Sequence, residues 1–121
     1  MRPMLLLLAL SACSDPYTTK TLTDEGSVCV DGTDVTVDFG ACLSSSCDTL
    51  VSSSCTATLE GSVVTVHAEA VIESHGTECT ADCGFVITHC DLPDLTGVTD
   101  PTITYTSDPM AIDLATCSAT P

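Results

Sequence analysis

Cys55-Thr56-Ala57-Thr58-Leu59-Glu60-Gly61-Ser62-Val63-Val64-Thr65-Val66-His67-Ala68-Glu69-Ala70-Val71-Ile72 is the stretch that decides the fold. Gly61-Ser62 is a favoured two-residue hairpin loop, with glycine in the first position, where a type II′ turn needs a positive φ. A loop of that length fixes the register and sets Leu59 against Val64, Ala57 against Val66 and Cys55 against Ala68. Successive side chains of a strand point to opposite faces, so these six apolar residues share one face with Ala70 and Ile72. Thr56, Thr58, Thr65, His67 and Glu69 fall on the other. Turn chemistry and alternation agree, and the stretch reads as a half-buried hairpin that points Cys55 into a core.

The period of two continues outward, and no segment after Val28 sustains a helical repeat. Val28 to Phe39 reads as a second hairpin turned at Asp31-Gly32-Thr33-Asp34, with Val28, Val30, Val35, Val37 and Phe39 on one face. Further strands are expected at Phe85–Cys90, Thr102–Thr106 and Met110–Leu114, the last two separated by Ser107-Asp108-Pro109. Gly40–Ser53, Ser74–Gly84 and Asp91–Pro101 read as loops. The motif Ser44-Ser45-Ser46-Cys47 recurs as Ser52-Ser53-Ser54-Cys55, too soon to be a structural repeat. About seven short strands with frequent turns predict an all-β fold, a small disulfide-rich antiparallel β-sandwich, with a small β-barrel as the alternative.

Composition narrows the classes further. The 121 residues hold 17 acids and 2 bases, a formal charge of −15. Such a field repels phosphate backbones and anionic headgroups, so nucleic acid is excluded as a partner class. Tyr17, Phe39, Phe85 and Tyr105 are the only aromatic residues, and tryptophan is absent. The core must then come from Val, Ile, Leu, Ala and cysteine.

The chain opens Met1-Arg2-Pro3, runs through Met4-Leu5-Leu6-Leu7-Leu8-Ala9-Leu10 and reaches Ser11-Ala12-Cys13. A basic residue, a short apolar run and small residues before a cut are the parts of a secretory signal. The run falls well short of the roughly 18 residues that span a bilayer. Leu10-Ser11-Ala12-Cys13 resembles the lipobox of bacterial lipoproteins. That resemblance implies cleavage before Cys13, a diacylglyceryl group on its thiol, and membrane attachment through that lipid. Ser14 after the lipidated cysteine, where aspartate would imply retention, implies release to the outer membrane or cell surface. Residues 1–12 are then the signal peptide, 13–27 a lipidated flexible tether, and 28–121 one disulfide-stapled domain. Loss of Arg2 with the signal would take the charge from −15 to −16. No basic patch helps the anchor, but two acyl chains suffice for stable attachment.

Cysteine parity points the same way. Nine cysteines are odd, and an exported chain must account for the one left over. With Cys13 acylated, Cys29, Cys42, Cys47, Cys55, Cys79, Cys83, Cys90 and Cys117 can pair fully, in any of 105 connectivities. Each bridge typically adds about 2–4 kcal/mol, a large supplement for a domain of this size, and requires an oxidising compartment.

Three constellations invite chemistry. Cys79 and Cys83 with His75 and His89 hold zinc-ligand types, but an oxidising compartment favours disulfides. His67, His75 and His89 stand among abundant serine and aspartate, yet no nucleophile elbow accompanies them. Asp31-Gly32-Thr33-Asp34 and Asp91-Leu92-Pro93-Asp94 offer oxygens without matching a calcium loop, and such residues usually make turns. The charge favours only weak, diffuse binding of divalent cations. No catalytic residue, metal ligand or cofactor is assigned. The expectation is a membrane-anchored extracytoplasmic lipoprotein with a structural or binding role toward an unidentified protein or envelope ligand, not an enzyme. A divalent-cation-dependent binding module or a small enzyme is the competing class.

Overall fold

The computed structural model describes residues 17–106 and 108–117. The expected signal peptide and Cys13 lie outside them. Eight strands follow in order: β1 (Tyr17–Thr23), β2 (Ser27–Asp31), β3 (Asp34–Leu43), β4 (Asp48–Glu60), β5 (Val63–His75), β6 (Gly84–Asp91), β7 (Thr102–Thr104) and β8 (Met110–Ala111). A single turn of 3-10 helix, Ile112–Ala115, comes last.

The central hairpin forms in the register that its turn dictates. Leu59 faces Val64, Ala57 faces Val66, Cys55 faces Ala68, and Thr56 faces His67. Gly61 supplies the positive φ, at 61°. Val64, Val66, Ala68, Ala70 and Ile72 are buried on the inner face. The second hairpin also forms as its pattern implies, Val28 opposite Val37 and Val30 opposite Val35.

β5 organises the larger sheet. β4 runs antiparallel along one edge, while β1 and β7 share the other, β1 beside Glu69–His75 and β7 beside Val63–Thr65. β8 adds to β7. The smaller sheet has the order β2-β3-β6. The two sheets pack face to face as a disulfide-rich β-sandwich whose core joins Val64, Val66 and Ile103 to Val35, Val37, Phe39 and Val86. Neither sheet closes on itself, so the fold is not a barrel.

Asp24 manages the gap between β1 and β7. Its backbone N–H donates to the Ala68 carbonyl at 2.9 Å, and its Oδ1 accepts the Ala68 N–H at 2.8 Å. One residue thus satisfies both backbone groups of Ala68 on the edge of β5 that neither β1 nor β7 reaches there. The chain then crosses to the smaller sheet through Gly26, whose φ is 88° and where any Cβ would collide with the Asp38 carbonyl. The buried Tyr105 hydroxyl donates to the Glu25 carbonyl at 2.6 Å and fixes this crossing. Burial, and then the nearby charges of Asp24 and Glu25, push the Tyr105 phenol up to about 12.

Several expectations need correction. Residues 13–27 are not a flexible tether throughout: Tyr17–Thr23 is a strand, and Leu22 is 1% exposed in the core. A backbone ladder to β5 holds this edge strand, so one inward apolar side chain is enough. Gly40–Ser53 is mostly strand, because β3 continues to Leu43 beyond an irregularity after Asp38, and β4 begins at Asp48. The strand expected at Met110–Leu114 ends at Ala111 and turns into the 3-10 helix, and that expected at Thr102–Thr106 ends at Thr104. The sheets are not wholly antiparallel: β7 runs parallel to β5, and a parallel bridge joins Val30 to Thr116.

This topology gives the sandwich two distinct ends. β3 to β6 run up and down, so the β3–β4 and β5–β6 connections meet at one end, beside the start of β1, where Tyr17 faces His75. This is the loop end. The opposite, turn end gathers the two hairpin turns, the 91–101 connection and the 3-10 helix, which leads back to the edge of β2.

Candidate functional site

All eight cysteines after Cys13 are paired: Cys29–Cys117, Cys42–Cys83, Cys47–Cys79 and Cys55–Cys90. Cys55, pointed inward by the hairpin register, ties β4 to β6 across the core. Cys29–Cys117 secures the returning C-terminal segment against β2, with the Cys117 N–H donating to the Val30 carbonyl at 3.0 Å. The other two bridges clip the loops together. Cys79 and Cys83 therefore share neither a partner nor a metal with each other.

Hydrogen bonds extend that clip at the loop end. The Thr80 N–H donates to Ser46 Oγ at 2.9 Å, and the Ser45 N–H donates to both oxygens of Asp82 at 3.3 Å. Thr80 Oγ1 donates to Asp82, and Ser44 Oγ lies 3.0 Å from Thr80 Oγ1. Ser45 and then Thr80 hold the Asp82 carboxyl down at about 2. Asp48 accepts the Ser74 hydroxyl and the Ser44 N–H, which lowers its carboxyl as well. A carboxylate held so low is a weak base, unsuited to taking a hydroxyl proton near neutrality. The serine, threonine and aspartate groups here bind loop to loop and do not form a nucleophile with its base.

The three histidines are dispersed, each beside one acid. His67 Nδ1 lies 3.2 Å from Asp24 Oδ2, and His75 Nε2 lies 3.8 Å from Glu73 Oε2. His89 Nδ1 lies 2.9 Å from Asp34 Oδ2, to which Thr36 Oγ1 donates at 3.1 Å. The Thr36 hydroxyl also lies 3.2 Å from the same His89 nitrogen that meets the carboxylate. A Ser-His-Asp relay needs the hydroxyl and the acid on opposite ring nitrogens. This cluster cannot act as one. His67 and Asp24 line an open groove of about 270 Å³ with Thr23, Ser54, Thr56 and Glu69, all carried by strands or their ends.

The turn end carries an arrangement that the local sequence did not disclose. Asp31 faces Asp34 and Asp34 faces Asp91, three carboxylates in one row across β2, β3 and β6. Direct cross-strand pairing of like charges is destabilising. The two-residue turn at Gly32-Thr33 already implied the first pair, whereas Asp91 arrives by a long-range pairing. Asp94 instead makes its own turn, accepting the Thr96 N–H and hydroxyl, and these lower its carboxyl. A second hollow of about 350 Å³ lies between Asp100 and Asp113. Among the described residues, no three His, Cys, Asp or Glu side chains converge to hold a metal ion.

No protein-family profile, no curated protein and no solved structure matches this chain.

Proposed function

We propose that the chain is a lipoprotein exported from a bacterial cell, anchored by acylated Cys13 at the outer membrane or cell surface, with a structural or binding role. Four disulfides are consistent with an extracytoplasmic location, because the cytosol keeps thiols reduced. One observation carries the anchor: the eight cysteines of the β domain are paired among themselves. Cys13 is left as the odd cysteine, directly after the apolar run and in the lipobox position. A binding or structural role, not catalysis, is supported by the separation of the histidines and by the weak basicity of the loop-end carboxylates.

Growth with an alkyne-bearing fatty acid, followed by dye coupling, tests the anchor. The wild-type chain should take the label and sediment with membranes. Cys13→Ala should take none, and freed of residues 1–12 it should become soluble, since a charge of −16 gives no other affinity for a bilayer. An unlabelled wild type, or a mutant that takes the label or sediments after losing residues 1–12, defeats the reading.

A further inference from the structure

Seven large apolar side chains are exposed among the described residues; Met110 and Leu114 belong to the turn end and Ile87 to the middle of β6, which leaves four. Tyr17, Leu50, Val51 and Phe85 are 52%, 38%, 53% and 72% exposed. Tyr17 opens β1, Phe85 is the second residue of β6, and Leu50-Val51 lie near the start of β4, so all four sit toward the loop end. They also encircle it. Tyr17 lies on the outer face of the larger sheet, stacked on His75 at 5.2 Å between centroids. Phe85 points outward from the smaller sheet, and Leu50-Val51 occupy the β4 edge at an irregularity in its pairing. The four form no single patch, but a flat apolar layer set against this end would meet all three sides at once.

Charge is graded in the opposite sense. Asp31, Asp34 and Asp91 form their row at the turn end, with Glu60, Asp94 and Asp100 in the adjoining turns. At the loop end, Asp48 and Asp82 are turned onto hydroxyl and amide donors of the clipped loops, Glu73 stands beside His75, and Glu78 lies in the loop itself. The start of the described chain lies at this same end, and only Ser14, Asp15 and Pro16 separate Tyr17 from Cys13. Four extended steps reach at most about 14 Å. A lipid on Cys13 therefore brings the loop end, and not the acid row, to the bilayer.

We propose that the loop end is a lipid-docking surface. Tyr17, Leu50, Val51 and Phe85 seat in the headgroup layer of an electroneutral membrane face, and the sandwich stands with its acid row outward. This rests on the lipoprotein reading, because four apolar side chains bury too little area to hold the chain on a bilayer without an acyl anchor. With it, their burial in the interfacial layer follows the same physics as amphipathic surface helices.

The absence of tryptophan makes the test direct. F85W, V51W and L114W each introduce a sole indole at an exposed position, the third on the 3-10 helix of the turn end. Each full-length lipidated chain is reconstituted on dioleoyl phosphatidylcholine vesicles, with or without brominated acyl chains, and flotation is recorded alongside fluorescence. F85W and V51W should lose about half of their emission on brominated vesicles and L114W almost none, given an insertion depth of about 5–10 Å. If the chains float but F85W and V51W are unquenched, the domain stands clear of the bilayer and the docking surface fails while the anchor survives. Equal quenching of all three also overturns it, because the sandwich then lies on its side. If the chains do not float, the anchor fails and the docking surface with it.

Discussion

The two ends of the sandwich are held by different means. At the loop end, two disulfides and a mesh of side-chain hydrogen bonds join the β3–β4 and β5–β6 connections. At the turn end, the strands reverse through two-residue turns, Cys55–Cys90 ties β4 to β6 one residue from Asp91, and Cys29–Cys117 alone secures the returning C-terminal segment. The densely cross-linked end is the less dependent on any one of its bridges. Cys47–Cys79 is nested inside Cys42–Cys83, so when the outer bridge is closed the inner one closes a further ring of only about nine residues. From Cys29 to Cys117, the route through Cys42–Cys83 is about 47 residues long.

The largest effect expected follows from that contrast. Chain-entropy reasoning assigns about 4 kcal/mol to Cys29–Cys117 and about 2.5–3 kcal/mol to Cys47–Cys79. Cys29→Ala with Cys117→Ala should therefore lower the urea midpoint more than Cys47→Ala with Cys79→Ala, the remaining bridges being intact in both. The first pair approaches the whole margin of a small domain. If the loop-end pair proves the costlier, the hydrogen-bonded mesh depends on its bridge, and the redundancy argument is wrong.

A smaller effect tests what the turn end owes to its turns. The Gly61-Ser62 turn sets Val66 inward and His67 outward, and Val66 is 2% exposed. Val66→Ala should cost on the order of 1–2 kcal/mol, and His67→Ala within about 0.5 kcal/mol despite its contact with Asp24, because both partners face solvent. A one-residue slip would exchange the two outcomes. Denaturant titration of both variants decides between them.

The same hairpin shows why some of the fold was legible and some was not. Between Cys55 and Ile72, turn type and alternation are local signals that point to one register. Tyr17–Thr23 has no comparable signal, since only Leu22 reaches the core and the remaining residues are polar or exposed. Its threonines and tyrosine favour a strand, but position at a sheet edge decided the outcome. Residues 48–54 went unread for the same reason: β4 begins as an exposed run held by the β5 ladder, with no apolar period to detect. The eight paired cysteines were legible from parity and compartment. Their partners were not, because each bridge spans at least 32 residues, and pairing depends on how the sheets stack. The acid row shares that dependence through Asp91.

The smallest effect concerns acid. Asp82 is held at about 2 against an ordinary value of 3.8, so its folded carboxyl is the stronger acid. A depressed folded value gives stability that is complete above about pH 4 and is lost as pH falls toward 2. In Asp82→Asn that contribution is missing at every pH. The difference in urea midpoint between wild type and variant should thus be constant from about pH 7 to 5 and close between about pH 4 and 2. General relief of charge repulsion on acidification acts on both proteins and largely cancels in the difference. Asp94 is also lowered, but its partner is Thr96, two residues away. So local a bond survives in part in the unfolded chain and stabilises the fold little. Asp82 meets Ser45 across 37 residues; Cys42–Cys83 keeps the two near each other in the unfolded chain, but their geometry is set by the pairing of Leu43 with Gly84 and is lost with it. Asp94→Asn should accordingly show a nearly flat difference over the same range. If it closes as steeply as Asp82→Asn, the acid response belongs to the whole charge field and not to the clip between the loops.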